Sequence, residues 1–310
     1  MDVSRLNWDN LRLFLAMARF QSAQETARQL AIDHSTLTRR MHRLEKELET
    51  KLFDRTSTGH RLTIAGNRLL EKVEKMESAV VQIDQQVGGD SKTVTGQVRI
   101  GATEGFGSYF LAPHFARIGD RYPALSVELV TVPRFINLSK READLAVNIE
   151  RPTGSSEVTA KLTDYRLRLY GAKRYLSEHP PIRSIAELSQ HRFIGYVDEL
   201  CFSEELRYLE SVVPNASLPL RSTNVVAQYL AACQGRGLAI LPHFLAVHCS
   251  DLQPLLVDEV DIVRSFWLST PAERKDIARV RAVWDYTREI TELNKAFLMG
   301  DRSTIQWPNG

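Results

Sequence analysis

The chain has 310 residues, of which 43% are hydrophobic and 25% charged, and its 40 basic and 38 acidic residues leave a net charge of +2. This composition is typical of a folded globular protein of two or three domains, and it excludes a disordered chain, a collagen-like fibre and a polybasic nucleic-acid coat. No run of 18 apolar residues occurs, and the charged start of the chain lacks the apolar region of a signal peptide, so we expect no membrane partner.

The first 50 residues predict three helices. Trp8, Leu11 and Phe14 begin the apolar face of the first helix. The sequence Ser22-Ala-Gln-Glu25 has the S-x-x-E pattern of a capping box, which opens a second helix. A short turn ends at Asp33, a good N-cap residue for a third helix. The apolar stripe of that helix is Leu37, Met41, Leu44 and Leu48.

Two short helices joined by a tight turn are typical of a helix-turn-helix. The second helix of such a motif enters the major groove with its N-terminal residues at the base edges. Its polar side here carries Ser35 and Thr38, which can bond bases or phosphates, and Arg39, which can grip a guanine. Arg40 and Arg43 lie where phosphates are expected.

Local charge supports an interaction with DNA. Residues 28–68 contain nine Lys or Arg against five acids, together with three histidines. The strand-like pattern of residues 51–64 adds a wing-like hairpin beside the helices. An ordinary solvated helical face with i,i+4 charge pairs would account for the charge equally well, so the order of the elements decides for DNA.

The stretch LRLFLAMARFQSAQETARQLAIDHSTLTRRMHRLEKELETKLFDRTSTGHRLTIAG resembles the winged helix-turn-helix of LysR-type transcriptional regulators. The resemblance carries the expected base contacts onto His34, Ser35, Thr38 and Arg39. His34 stands where the family most often has Gln, and Thr58 stands where an arginine often occupies the wing tip. The candidates for that wing contact are Arg55, His60 and Arg61.

The resemblance also implies the architecture. We expect an all-α winged helix-turn-helix domain over residues 1–64 and a long linker helix over 65–89. After a hinge at 90–94, we expect an α/β effector domain over 95–300 and a tail over 301–310. The effector domain would consist of two Rossmann-like subdomains of the type 2 periplasmic-binding-protein class, subdomain I being 95–165 with 268–300 and subdomain II being 166–267.

The linker helix has a heptad-like apolar stripe, which predicts a coiled-coil seam between two subunits. A helix packed on its own domain is the alternative. A dimer would place two recognition helices on an interrupted inverted repeat of double-stranded DNA. In the resembling family dimers commonly pair into tetramers, and RNA polymerase is a further expected partner. The predicted dimerisation residues are Leu69, Val73, Met76, Val80, Ile83 and Val87.

From Val98 onward, short apolar strands alternate with amphipathic helices, which favours an α/β fold with mostly parallel sheets. Small and hydroxyl residues at the end of the first strand feed a helix N-terminus, an arrangement suited to an anion. By the resemblance, a small-molecule effector lies between the subdomains, and Arg134 would suit an organic acid. For each candidate, a helix cap or a turn residue is the alternative. The effector-binding candidates are Thr103, Glu104, Ser108, Arg134, Asn148, Tyr196, Thr223 and Asn224.

Two other functions compete with an effector-responsive regulator. An enzyme is disfavoured because we find none of the common catalytic or nucleotide-binding motifs and no metal-ligand spacing, so we expect no catalytic residue, no metal and no cofactor. An architectural DNA-binding protein without effector would leave the α/β half without a purpose. Cys201, Cys233 and Cys249 are widely spaced, which predicts inert thiols and a cytoplasmic location, although Cys201 stands where some relatives carry a redox cysteine.

Overall fold

The computed structural model describes residues 6–308 except 21, 57–58, 71, 74–75, 78–93, 137, 139–141 and 153–156. The chain divides into two compact units, residues 1–91 and residues 92–310. No helix within these described ranges is long and apolar enough to cross a membrane.

The first unit is a three-helix core with a β-hairpin. Its buried residues include Leu11, Phe14, Leu37 and Leu44, which come from the apolar stripes of the first and third helices. The predicted winged helix-turn-helix is therefore confirmed as a fold. Its elements are α1 (Trp8–Phe20), α2 (Ala23–Gln29), α3 (His34–Glu47), β1 (Phe53–Thr56) and β2 (Gly59–Leu62), and β1 and β2 pair antiparallel.

The turn between α2 and α3 is closed by backbone geometry. Ala31 adopts a left-handed φ of 50°, and the N–H of Ile32 donates to the carbonyl of Ala27 at 3.1 Å. At the start of α2, the Ser22 hydroxyl accepts from the N–H of Glu25 at 3.3 Å. The predicted capping box is only half formed, because the Glu25 carboxylate bonds Arg28 and Gln29 instead. Asp33 stands at the N-cap of α3 without a side-chain cap bond.

The linker helix departs from the predicted seam over its described part. It begins with helical residues 64–70, here named α4, and Val73 beyond them is fully buried in the core of its own unit. Leu69 packs against the same core. Arg19 of α1 holds Glu77 through two hydrogen bonds of 2.6 and 3.1 Å. Val73 therefore packs within its own unit, beside α1. Met76, by contrast, remains 44% exposed. The seam predictions at Val80, Ile83 and Val87 lie outside the described residues.

The second unit is a mixed α/β domain, as expected for the α/β effector class. It starts with β3 (Gly96–Ala102), a helix with a π-helical turn, α5 (Glu104–Phe106), Gly107–Leu111 and α6 (Ala112–Phe115), and then α7 (Ile118–Arg121), β4 (Leu125–Thr131) and β5 (Leu145–Asn148). It continues with β6 (Glu157–Ala172), α8 (Lys173–Glu178), β7 (Arg192–Gly195), α9 (Leu209–Val212), β8 (Ser217–Arg221) and α10 (Val225–Cys233). It ends with β9 (Leu238–Pro242), α11 (His243–Ala246), β10 (Leu252–Leu255), β11 (Asp261–Pro271), α12 (Ala278–Leu293) and α13 (Lys295–Leu298), and short 3₁₀ turns lie at Ile185–Gln190, Asp198–Leu200, Glu204–Leu206 and Ala272–Arg274.

The sheet runs β4-β3-β5-β11-β6-β9-β7-β8, with β10 also pairing β6. Strands on both flanks pair parallel, whereas the two long strands β6 and β11 in the middle pair antiparallel. The expectation of mostly parallel sheets is therefore right for the flanks and wrong for the centre. The β6–β11 register shifts by one residue between Phe266 and Trp267, opposite Thr163 and Lys161. Such a bulge bends and twists the strand pair that joins the flanks.

The segment predicted as a tail is anchored to the second unit. The N–H of Gln306 donates to Asn294 at 2.6 Å, and the guanidinium of Arg117 lies 4.1 Å from the ring centre of Trp307. His114 is fully buried beneath this segment, and its Nδ1 lies 2.8 Å from the carbonyl oxygen of Phe110. Residues 301–308 are therefore part of the folded domain.

Candidate DNA-binding helix and effector cleft

The outer face of α3 presents polar and basic side chains to solvent. Leu37, Met41 and Leu44 are buried, and a helical period of 3.6 residues turns Ser35 and Arg39 to the opposite side. Ser35, Arg39 and Arg40 are exposed, and the described structure places no carboxylate within ion-pair distance of either arginine. These cations are available to a polyanion.

The remaining predicted contacts on α3 are less free. The Thr38 hydroxyl donates to the carbonyl of His34 at 2.9 Å, and Arg43 pairs with Glu47 at 2.8 Å. His34 itself is exposed at the first turn. The Thr38 hydroxyl is therefore left as an acceptor for DNA, and Arg43 would have to exchange a carboxylate for a phosphate.

The wing is fastened to α3 by Glu45. Its carboxylate accepts from Lys51 at 2.8 Å and from the N–H of Leu52 at 2.9 Å, and it lies 3.4 Å from the N–H of Phe53. Burial would raise the pKa of Glu45, but these hydrogen bonds outweigh it and lower the pKa below its usual value. The hairpin is thus held at the C-terminal end of α3 by a charged group.

On the wing, Arg61 is exposed on β2, as the predicted contact of the wing with DNA would require. His60 is half-buried, with its ring edge-on to Phe53 at 6.3 Å between centroids. Arg55 pairs with His60 in the strand register, and its side chain lies outside the described residues, as does Thr58. Among the described side chains, Arg61 is the candidate for the wing contact that is open to solvent.

In the second unit, a cleft opens at the carboxyl end of β3. One wall is formed by the start of the helix that follows β3, the other by residues near the start of α10, and the floor by the central strands β6 and β11. Its enclosed volume is about 40 Å³. It is lined by Thr103, Glu104, Gly105, Phe106, Pro133, Ile149, Tyr165, Leu167, Tyr196, Phe202, Leu206, Tyr208, Thr223, Val225, Pro242, Phe244 and Phe266.

Four of the predicted effector residues line this cleft, namely Thr103, Glu104, Tyr196 and Thr223. Thr103 stands at the N-cap of α5 without a side-chain cap bond, so its hydroxyl is not used by the helix. Burial raises the pKa of the Glu104 carboxyl. These residues come from both walls, so the cleft brings together parts of the chain that are far apart in sequence.

The other four predicted residues lie off the cleft. Asn224 is a helix cap, because its Oδ1 accepts from the N–H groups of Val226 and Ala227 at 2.7 and 3.2 Å. Ser108 is exposed, and Asn148 is buried within β5 opposite Trp267. For Asn224 the alternative interpretation as a cap is therefore the right one.

Arg134 is exposed and pairs with Glu142 at 2.7 Å. It does not line the cleft, because this ion pair holds it on the loop that follows β4. The residue that carried the expectation of an organic-acid effector is therefore not at the site.

Sequence reasoning missed the aromatic walls. Phe266 stacks on Phe106 at 4.0 Å and on Tyr165 at 4.2 Å between ring centroids. On the opposite side, the rings of Tyr196 and Tyr208 lie edge-on at 6.3 Å between centroids, and the Tyr208 hydroxyl donates to the carbonyl oxygen of Ile240 at 3.4 Å. The apolar stretches of sequence around Phe106 and Phe266 predict only that both residues are buried in the core. That they meet at the cleft depends on the order of the strands in the sheet.

A larger cavity of about 520 Å³ lies behind Tyr196 and Tyr208. It is lined by residues between Ile194 and Ile240 alone, so it touches neither α5 nor the central strands. A molecule there would contact one wall of the cleft from behind. The smaller cleft is the better candidate effector site, because only there would a ligand touch both walls.

The three cysteines are free. Burial raises the pKa of Cys201, which disfavours the reactive thiolate. Burial, together with the neighbouring thiol of Cys249, raises the pKa of Cys233 to about 12. The thiols of Cys201 and Cys233 are therefore poor nucleophiles at neutral pH.

Comparison with known families matches both units. Residues 8–67 match the bacterial regulatory helix-turn-helix protein family of lysR type. Residues 91–291 match the LysR substrate binding domain. Together the two matches cover most of the chain.

Individual relatives agree with this assignment. The chain is 25% identical over 285 residues to the Mau operon transcriptional activator of Paracoccus denitrificans, covering 92% of this chain and 96% of that protein. The structure of CrgA from Neisseria meningitidis aligns with a TM-score of 0.57 at 22% identity, covering 92% and 98% of the two chains. A full-length OxyR variant from Pseudomonas aeruginosa aligns with a TM-score of 0.71 at 17% identity, covering 92% and 94%.

Proposed function

The chain belongs to the LysR family of DNA-binding transcriptional regulators, and from that premise we propose that occupancy of the aromatic cleft controls how α3 reads DNA. One observation carries the proposal. The cleft is lined by Thr103 and Glu104 on one wall, by Thr223 on the other, and by Tyr165 and Phe266 of the two central strands. A ligand there changes the relative energy of the wall positions, which is what an effector must do.

For DNA we assign base contacts to Ser35, Thr38 and Arg39, with His34 at the first turn of the helix. Arg40 and Arg43 contact phosphates, and Arg61 enters the groove beside the wing. The basis is the exposure of these side chains on one face of α3 and on β2. Arginine is the side chain that most often reads guanine, through O6 and N7.

LysR proteins bind DNA and small molecules and form oligomers. For this chain we infer a homodimer on an interrupted inverted repeat, pairing further into a tetramer, with RNA polymerase as a later partner. We retain residues 95–165 with 268–300 and residues 166–267 as the two subdomains that move, and the bulged β6–β11 pair as the hinge between them. A ligand that distinguishes two arrangements by about 1–3 kcal/mol suffices to switch DNA affinity.

The test begins with selection of genomic fragments by the purified full-length protein at a stated salt concentration. We expect a few enriched sites with an interrupted inverted repeat. Footprints on the strongest site are then compared with and without metabolites that raise the melting temperature of the protein. A ligand that binds and leaves both footprint and DNA bend unchanged would contradict control by the cleft.

A further inference from the structure

The cleft has an acidic lining, and the ligand class inferred from it rests on the proposed function, in which the cleft is the effector site. Among the described lining residues, Glu104 is the sole carboxylate, and there is no Lys, Arg or His. The remaining polar groups are the hydroxyls of Thr103 and Thr223 and those of three tyrosines. The lining therefore carries a net negative charge.

Glu104 is the first residue of α5, where a helix N-terminus favours a carboxylate, and among the described residues no side chain pairs with it. In the described structure its carboxylate makes no hydrogen bond and no ion pair, although burial already withdraws part of its hydration. A carboxylate in partly apolar surroundings is stabilised by an opposite charge. A bound cation would supply this opposite charge.

The aromatic rings fit the same ligand. Tyr196 and Phe202 line the cleft and are half-buried. Aromatic faces attract ammonium groups, and carbon chains pack well against the same rings. The hydroxyl oxygens of Thr103 and Thr223 can accept N–H groups from opposite walls.

Two arginines adjacent to lining residues, Arg207 beside Tyr208 in sequence and Arg264 opposite Tyr165 in the sheet, are already paired. Arg264 pairs with Glu205 at 2.5 Å, and Arg207 pairs with Glu204 at 3.2 Å. Arg134 is held by Glu142 away from the cleft. An anionic ligand would therefore face Glu104 without a free counter-charge.

We propose that the cleft recognises a small organic cation carrying an ammonium group, and that Glu104 is the residue that selects its charge. The ammonium lies between Glu104 and the two threonine hydroxyls, and its carbon chain lies against Tyr196 and Phe202. The volume of about 40 Å³ suits a molecule of few heavy atoms.

The experiment is calorimetry of the full-length protein with three probes of similar size: n-butylammonium, 1-butanol and butyrate. We expect n-butylammonium to bind, 1-butanol to bind at least about tenfold more weakly and butyrate not to bind, because charge-assisted hydrogen bonds are the stronger ones. Glu104→Gln removes the charge at nearly constant shape and should weaken n-butylammonium binding by at least about tenfold. Glu292→Gln, at an exposed position on α12, is the matched control and should leave binding unchanged.

Three results would overturn the inference: butyrate binding as tightly as n-butylammonium, full affinity in Glu104→Gln, or no binding of any probe. Footprints on the selected DNA site in the same titrations separate this inference from the proposed function. Glu104-dependent binding of n-butylammonium with an unchanged footprint means that the ligand class holds and control by the cleft fails. A footprint changed by butyrate means that the inferred ligand class fails while control by the cleft holds.

Discussion

Arg39 and Arg40 are neighbours in sequence, yet they point about 100° apart around α3. Arg39 lies opposite the buried stripe of Leu37 and Leu44, whereas Arg40 lies toward the flank of the helix. In a major groove the first direction reaches base edges and the second reaches the phosphate backbone. From exposure and helical phase we therefore expect the two arginines to have different tasks.

We expect Arg39→Ala to weaken binding to the selected site by about 1–3 kcal/mol and to leave binding to a scrambled duplex nearly unchanged, because only the guanine contact is lost. Arg40→Ala should weaken both duplexes alike and reduce the salt dependence by about one ion. Anisotropy titrations at several salt concentrations measure both effects. Arg12→Ala, which removes an exposed positive charge from α1, is the control. Equal losses of Arg39→Ala on both duplexes would mean that Arg39 contacts a phosphate.

Four histidines with lowered pKa values, of which His114 and His191 are buried, make the second unit sensitive to acid. Loss of hydration lowers the pKa of His114, although its contacts with two backbone carbonyls act in the opposite direction. Loss of hydration also lowers the pKa values of His191, His243 and His248. These groups are neutral in the folded state, while the unfolded chain protonates them near the ordinary value of 6.5. Below pH 6.5 the unfolded state therefore binds more protons at these histidines than the folded state. Their contribution to the free energy of unfolding is highest above pH 6.5 and falls as the pH drops toward the pKa values of the folded state.

We expect the urea midpoint of the second unit to fall between pH 7.5 and pH 5.5, before most carboxylates titrate. Trp267, Trp284 and Trp307 lie in this unit, so tryptophan fluorescence reports its unfolding. His114→Gln should lower stability at pH 7.5 and make the pH dependence shallower, since one of the buried titrating rings is gone. An unchanged slope in this variant would show that His114 is not among the groups that link stability to pH.

At the scale of elements, the packing at the start of the linker helix explains why a glycine, Gly66, follows the wing. The Thr63 hydroxyl accepts from the N–H of Gly66 at 3.0 Å, and the N–H of Thr63 donates to the carbonyl of Leu52 at 3.0 Å. A Cβ at Gly66 would collide with that same carbonyl oxygen. Gly66 thus lets α4 cross the chain where β1 begins.

Gly66→Ala should destabilise the first unit by about 1–3 kcal/mol, because the obstacle is backbone and cannot rotate away. Hydrogen exchange of the full-length protein should then accelerate by about 5–150-fold in peptides covering residues 48–70, and remain unchanged in the second unit. Gly119→Ala, where nothing lies within 4 Å of the added Cβ, is the matched control. Protection equal to that of the control would show that α4 can shift without cost.

Local patterns predicted most of the elements and the more local part of the site. Helical spacing located α1 to α3, and short apolar runs located β3, β4, β5, β7 and β9. Thr103 and Glu104 are expected from the family resemblance, which places effector contacts at strand ends that face the cleft. The first half of β6 and all of β8 escaped, since EVTAKLTDYR and SLPLR mix polar residues with short apolar ones.

The aromatic walls could not be predicted, because they depend on contacts between distant segments. Phe266 and Tyr165 meet across the β6–β11 pair, and the register shift beside Phe266 decides which side chains share a face. Val73 shows the same limit in a helix, because a heptad stripe does not say whether its partner is another subunit or the helix's own domain.

For the whole molecule, a close contact between the cleft walls limits how far the cleft can close. A Cβ at Gly105 on α5 would lie 2.8 Å from Cγ1 of Val225 at the start of α10, closer than two carbon atoms tolerate. The walls must then move apart, or Val225 must give way. If wall position controls DNA reading, this single methyl group should act as a wedge without any ligand.

We expect Gly105→Ala to change the affinity for the selected DNA site, or the footprint on it, in the absence of effector, and to weaken binding of any cleft ligand. Val225→Ala alone removes the obstacle and should have little effect on DNA binding. The double variant Gly105→Ala/Val225→Ala should return toward the wild type, giving a coupling energy of about 0.5–3 kcal/mol, because residues in direct contact are not additive. Anisotropy and footprinting on all four proteins complete the cycle. Additive effects would place the influence of Gly105 in its own helix, whereas rescue by Val225→Ala would locate the switch at the contact between the two walls.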